Sequence, residues 1–282
     1  MKKFVLAAIA LIMCLNLCSC ERLLRKAKAY VTGIEDEAPP ADFLESREND
    51  VFSYDVYKDH IELTGYLGES TELIIPSEID GKPVTVIGSL FLFEKAKVTS
   101  VEIPSSVTAL AESAFYYADA LTSVVIPDTV RSIGVRAFSW CNALESVSIG
   151  SGIDEIPDYC FNHCVSLTEF KIPENVGKVG VRTFSYCSKL VDVIVTAGVG
   201  SVGERAFANC AALEYVEFRN AEVQLAENVF EGSDGVTLIS PFVSSAKDYC
   251  AEHGMRWSQS RFIEAIIPGS LAESSANEES EQ

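Results

Sequence analysis

Residues 121–143 read "LTSVVIPDTVRSIGVRAFSWCNA". The 23 residues after them, 144–166, read "LESVSIGSGIDEIPDYCFNHCVS", 167–189 read "LTEFKIPENVGKVGVRTFSYCSK", and 190–212 read "LVDVIVTAGVGSVGERAFANCAA". No insertion separates these four copies. The preceding stretch, 98–120, "VTSVEIPSSVTALAESAFYYADA", keeps the phase, and Leu213 begins a sixth unit. A strict period of this length marks a repeat architecture, in which one unit cannot bury its apolar side alone and stacked neighbours bury it for one another.

The apolar positions inside a unit predict its local structure. In 121–143, Leu121, Val124 and Ile126 alternate as in a strand buried on one side, and Pro127 ends the ladder because it has no N–H to donate. Val130 and Ile133 make a second extended piece that turns at Gly134. Ala137, Phe138 and Cys141 have helical spacing over a single turn, which predicts a short helix or 3₁₀ segment. The expected fold is therefore α/β: a solenoid with a parallel sheet along one face and short helical or 3₁₀ turns along the other.

The pattern LxxVxIPxxVxxIGxxAFxxCxx resembles the BspA-type bacterial leucine-rich repeat. The resemblance spans roughly residues 50–260, and "SEIDGKPV" at 77–84 looks like an insertion common in the first turns of such proteins. Gly150, Thr196 and Arg219 stand where the pattern has proline, and Ala118 stands where it has cysteine. The resemblance implies adhesion to host matrix proteins or other cells, with no transferable ligand motif.

The ends have other compositions. Lys2 and Lys3 precede a run from Phe4 to Leu17 that is apolar except for Asn16 and leads into Leu17-Cys18-Ser19-Cys20. The run has the length of a signal-peptide core, and the four residues look like a lipobox, which implies cleavage before Cys20 and lipid on its thiol. The expected organisation is a signal peptide at 1–19, a lipidated tether at 20–45, a β-hairpin cap at 46–72, leucine-rich repeats at 73–235, a C-terminal cap with a helix at 236–268, and a disordered acidic tail at 269–282. Ser244 or Ser245 is the expected N-cap of that helix and Gly254 its stop. The chain carries 41 Asp and Glu against 22 Lys and Arg, a net charge of −19, which argues against a nucleic-acid partner.

Candidate chemistry is sparse. Of nine cysteines, Cys14 and Cys18 fall in the leader and Cys20 is the lipid site. Cys141, Cys164, Cys187 and Cys210 share one repeat position, where equivalent side chains point the same way, so they are expected as buried free thiols, and neither disulfides nor a metal site is expected. Cys160 is expected in the core and His163 outside it. Nothing in the repeat brings His60, His163 and His253 together, so no catalytic residue, metal or cofactor is assigned. The glycine-rich stretch "GVGSVG" at 198–203 falls on turn positions inside a repeat.

Three surface columns remain. Outward strand positions, expected on the concave face, run Ser100, Ser123, Ser146, Glu169, Asp192 and Tyr215, a mixture with no clear hot spot. The position two after each phenylalanine runs Tyr117, Trp140, His163, Tyr186 and Asn209, an exposed stripe of rings on the opposite side. Such a stripe either stiffens the solenoid by ring packing or offers rigid contact area. Arg136, Arg182 and Arg205 share a third column. The candidate ligand contacts are Tyr117, Trp140, His163, Tyr186 and Tyr215. The expected function is that of an exported, lipid-anchored surface lipoprotein of the bacterial cell envelope, on the extracellular face, that recognises a protein or glycan. The alternative is an envelope scaffold without a host ligand; a glycan-acting enzyme would need a carboxylate pair that the sequence does not reveal.

Overall fold

The computed structural model describes residues 40–93 and 97–259. By its contacts the chain divides into Met1–Phe43 and Leu44–Gln282, and the repeats lie wholly within the second unit.

Each repeat lays down two strands. In the copy beginning at Leu121 these are Ser123–Ile126 and Ser132–Ile133. Val124 and Ile126 point inward while Ser123 and Val125 face out, as the period of two requires. The first strand pairs in parallel with that of the next copy, Ser123 opposite Ser146 and Ile126 opposite Ile149, so one repeat along the chain is one step across the sheet. After the strand, Pro104, Pro127 and Pro173 close a turn by accepting the N–H three residues on, at 3.1–3.2 Å. Thr196 fills the proline place, accepts the Val199 N–H in the same way, and donates its hydroxyl to the Pro173 carbonyl at 3.0 Å.

The strands do not run unbroken. The long strands form one sheet from Glu72–Ile74 to Ser146–Ile149 and another from Glu169–Lys171 to Arg256–Gln259. The short strands break one step earlier, between Ser132–Ile133 and Glu155–Ile156. The copy at 144–166 thus joins the N-terminal sheet by its first strand and the C-terminal ladder by its second.

The third side of each repeat departs from the expected helical turn. Two residues per copy sit in the left-handed region: Arg136 and Trp140 at φ 60° and 64°, Tyr159 and His163 at 59° and 61°, Arg182 and Tyr186 at 52° and 65°, Arg205 and Asn209 both at 56°. A left-handed residue interrupts the helical winding and frees alternate N–H groups to leave the turn. Those of Arg136, Phe138 and Trp140 donate to the carbonyls of Asp158, Cys160 and Asn162 in the next copy, at 3.1, 2.9 and 2.8 Å. Those of Ala137, Ser139 and Cys141 donate back three residues, at 3.2, 3.0 and 3.3 Å. A helix would have kept all six bonds inside the copy. The observed arrangement makes a third parallel ladder, and its bonds offset a left-handed cost of roughly 1–2 kcal/mol per residue. This ladder continues through the copies where both sheets break.

The core lies between the ladders. Phe115, Phe138, Phe161, Phe184 and Phe207 are fully buried. With Phe230 they form one stack, ring centroids 5.0–5.6 Å apart and planes within 14° of parallel. Each such ring contributes about 1.5–3 kcal/mol by leaving water. Leu92, at the phenylalanine position of the first copy, is buried, and neighbouring Phe91 meets Phe115 edge-on at 86°.

The ends differ from the middle. Phe52–Tyr57 and Ile61–Tyr66 pair as an antiparallel hairpin, and the latter strand continues in parallel to Lys82–Ile87. Asp80 and Gly81, both with positive φ, connect Glu78–Ile79 to Lys82–Ile87 in the two-residue loop that suits a twisted hairpin. At the other end the helix Ser245–His253 starts at Ser244, whose side chain accepts the Lys247 N–H at 3.2 Å, and stops at left-handed Gly254. Its Tyr249 ring meets Phe230 at 6.1 Å and ends the phenylalanine stack.

Candidate functional site

The left-handed residues position the aromatic stripe. Because Tyr117, Trp140, His163 and Tyr186 occupy the same place in four identical turns, their side chains leave the backbone in the same direction and stack. Successive centroids are 5.4, 3.9 and 4.5 Å apart, with planes within 16° of parallel. Tyr116 packs edge-on against Tyr117 at 5.0 Å. His163 sits inside the stack, where burial pushes its pKa down, and its Nδ1 lies 2.7 Å from Asn162 Oδ1. Interior rings turn their faces to one another and only their edges to water. Tyr117, Trp140 and His163 are half-buried, whereas Tyr186 at the C-terminal end is 46% exposed.

The arginine column is built by the same device, one turn position earlier. It contains a residue that the sequence reading passed over. Tyr159 stands between Arg136 and Arg182, whose guanidinium carbons lie 4.8 and 5.8 Å from its ring centroid. Arg136 also pairs with Glu112 at 3.5 Å, and Arg205 with Glu204 and Glu231 at 2.9 and 2.6 Å. The signal was present in the sequence, since Tyr159 is 23 residues from both Arg136 and Arg182.

On the strand side, Tyr215 is half-buried and lies opposite Asp192. Asp192 in turn lies opposite Glu169. Burial, and then the charges of Glu214 and Glu169, hold the Asp192 carboxyl above the usual carboxylate range, and its Oδ1 is buried without a hydrogen-bond partner among the described residues. The structure thus brings three acids together where the sequence reading saw only a mixed column.

The cysteines have structural work. Cys141, Cys164, Cys187 and Cys210 are free and buried. Each thiol donates to the phenylalanine carbonyl of the preceding copy, Cys141 to Phe115, Cys164 to Phe138, Cys187 to Phe161 and Cys210 to Phe184, at 3.1–3.2 Å. Ser233, next in the column, makes the same bond to Phe207 with its hydroxyl at 2.8 Å. Burial pushes the thiols of Cys141 and Cys210 up to about 12, and those of Cys160, Cys164 and Cys187 well above the ordinary value, so they are weak nucleophiles at neutral pH.

The other titratable candidates stay apart. His60 stacks on Tyr57 with its Nδ1 2.8 Å from Asp59, and His253 stacks on Tyr249 with its Nδ1 2.9 Å from that residue's carbonyl oxygen. In the glycine-rich stretch, a Cβ on Gly198 would run into the Glu174 carbonyl oxygen, so this glycine answers to close approach between copies. Cys20, the expected lipid site, lies outside the described residues, as do the expected signal segment, most of the tether and the whole of the expected tail.

Comparison with known proteins agrees with this geometry. The family model described as "BspA type Leucine rich repeat region" matches residues 109–237 in six copies. A leucine rich cell surface protein of Faecalibacterium prausnitzii is similar at 29% identity and a TM-score of 0.61, over 72% of this chain and 55% of that one. A leucine-rich repeat protein of Eubacterium ventriosum shares the fold at 24% identity and a TM-score of 0.59, over 69% of this chain and 51% of that one. The chain spans about half the length of these two proteins. No curated protein sequence matches it. Residues 109–237 thus match a BspA-type leucine-rich repeat model, and the fold is a solenoid like those of the bacterial leucine-rich repeat proteins of known structure.

Proposed function

We propose that the chain is a binding module of the bacterial cell surface, held to the membrane by lipid on Cys20 and recognising a protein or glycan ligand without catalysis. The observation that carries this reading is the ring column. A solenoid needs its phenylalanines for a core, but Tyr117, Trp140, His163 and Tyr186 sit outside that core, ordered and reaching water. Rigid aromatic area at a surface is what recognition uses, because little side-chain entropy remains to be lost on binding. Tyr215 on the strand side is a second candidate contact. The similarity to a cell surface protein of Faecalibacterium prausnitzii supports the location, and the Leu17–Cys20 motif supports the anchor.

The test is a panel of immobilised matrix proteins and glycans probed with the purified full chain. Saturable binding to a restricted set of ligands is expected. Absence of binding across the panel would favour the envelope-scaffold reading. Cys20→Ala should release the chain from membranes and abolish incorporation of labelled palmitate; a variant that stays lipidated would overturn the anchor.

A further inference from the structure

The ring column ends abruptly. Beyond Tyr186 the same position holds Asn209 and then Gly232, which keeps the left-handed backbone at φ 73°. Adjacent copies lie roughly 4.7–4.9 Å apart. The side chain at this position therefore shrinks from a phenol to a short amide to nothing over about 10 Å of solenoid. One face of Tyr186 is covered by His163 at 4.5 Å, and the next residue in the column, Asn209, carries no ring to cover the other. Among the described residues, Tyr186 is the one exposed ring of this stack, at 46%.

The floor of the step is polar. The Asn209 side chain is exposed and has no hydrogen-bond partner among the described residues, unlike Asn142 and Asn162, whose amides donate to Asp119 and to the Ser185 carbonyl. A Cβ at Gly232 would meet Asn209 Oδ1 at 2.6 Å, so the amide oxygen reaches toward the glycine. The ion pair between Arg205 and Glu231 belongs to the adjoining turn positions, Arg205 four residues before Asn209 and Glu231 directly before Gly232.

We propose that this step, Tyr186 with Asn209 and Gly232, is a subsite for one uncharged pyranose unit of a glycan. The inference rests on the reading of the chain as a binding module and names the ligand of its ring column. A pyranose has an apolar C–H face to lie on the open Tyr186 ring and a hydroxyl rim for the Asn209 amide, which both donates and accepts. An apolar protein side chain would use the ring but leave the amide without a partner, at the cost of burying an unsatisfied polar group. Stacking between the rings is excluded by their own packing, so the platform lies at the Tyr186 end of the column.

Saturation-transfer NMR of the full chain in detergent, titrated with the methyl glycosides of glucose, galactose, mannose and N-acetylglucosamine, tests this. At least one should bind with a Kd on the order of 1–10 mM, the strength a single exposed monosaccharide contact supports. Tyr186→Phe, which keeps the ring, should bind within about twofold of wild type, and Tyr186→Ala should bind at least about tenfold more weakly. Asn209→Asp keeps the size and the tolerance for a left-handed backbone while losing the amide donors; it should weaken binding about threefold or more. Phe242→Ala, exposed elsewhere, is the control. No binding of any glycoside at about 50 mM, or equal binding by wild type and Tyr186→Ala, would overturn the subsite. If the full chain and Tyr186→Ala both bind a matrix protein on the panel while no glycoside binds, the subsite fails and the module stands. If neither the panel nor the glycosides bind, both fail.

Discussion

A buried cysteine illustrates how the repeat uses single residues. Cys164 fills core volume and also supplies the hydrogen that the Phe138 carbonyl accepts. Cys164→Ala removes both and should cost about 1–2 kcal/mol, measured by denaturant unfolding. Cys164→Ser should cost less than alanine, because Ser233 already makes the bond at this position in another copy. Equal losses for the two variants would mean that volume alone matters. Asp192 is the opposite case, a residue that works against folding. Its pKa is raised in the folded protein, so its contribution is favourable below the unfolded value of 3.8 and is lost as pH rises through the folded value. Asp192→Asn should raise Tm at pH 7 by roughly 1–3 °C, with a smaller gain near pH 4. A gain independent of pH would point away from charge. Of these two residues, the first was legible in the sequence as a buried free thiol, though its carbonyl partner was not. The second was not legible, because the proximity of Glu214 depends on how adjacent strands place their flanking residues.

At the scale of the element, both strands of each repeat were readable from alternation and from proline, but the third side was not. Ala-Phe-x-x-Cys has helical spacing, and arginine, tyrosine and tryptophan give no hint of a left-handed backbone. The hint lay at the end of the column, where Asn209 and Gly232, the residues most tolerant of positive φ, occupy the place of Trp140. Hydrogen bonding to the next copy overrides local preference here. Close approach has its own mark in Gly198. Gly198→Ala would press its Cβ on the Glu174 carbonyl oxygen, and it should lower stability by about 1–3 kcal/mol in denaturant unfolding, with the shift confined to the C-terminal copies in hydrogen exchange. A neutral substitution would show that the turn moves freely. The ring stack belongs to this scale as well. Its column was readable from the 23-residue period, while the difference between covered and open ring faces required the structure.

At the scale of the repeats, copies held by three ladders and one phenylalanine stack present long surfaces of recurring side-chain columns. Interrupted sheets at the 144–166 copy leave the turn ladder and the core as the continuous connections between its two halves. The period alone decided this architecture, and the six-copy match over residues 109–237 agrees with it. Ligand identity and location were not written in the period, because a repeat encodes stacking and leaves its outward residues free to vary. The reading of this surface as an external recognition face is tested most directly by protease shaving of intact bacterial cells that express the full chain, with the released peptides identified by mass spectrometry. Peptides from residues 98–259 should be released while the cells remain intact. Release of those peptides only after lysis would contradict the account.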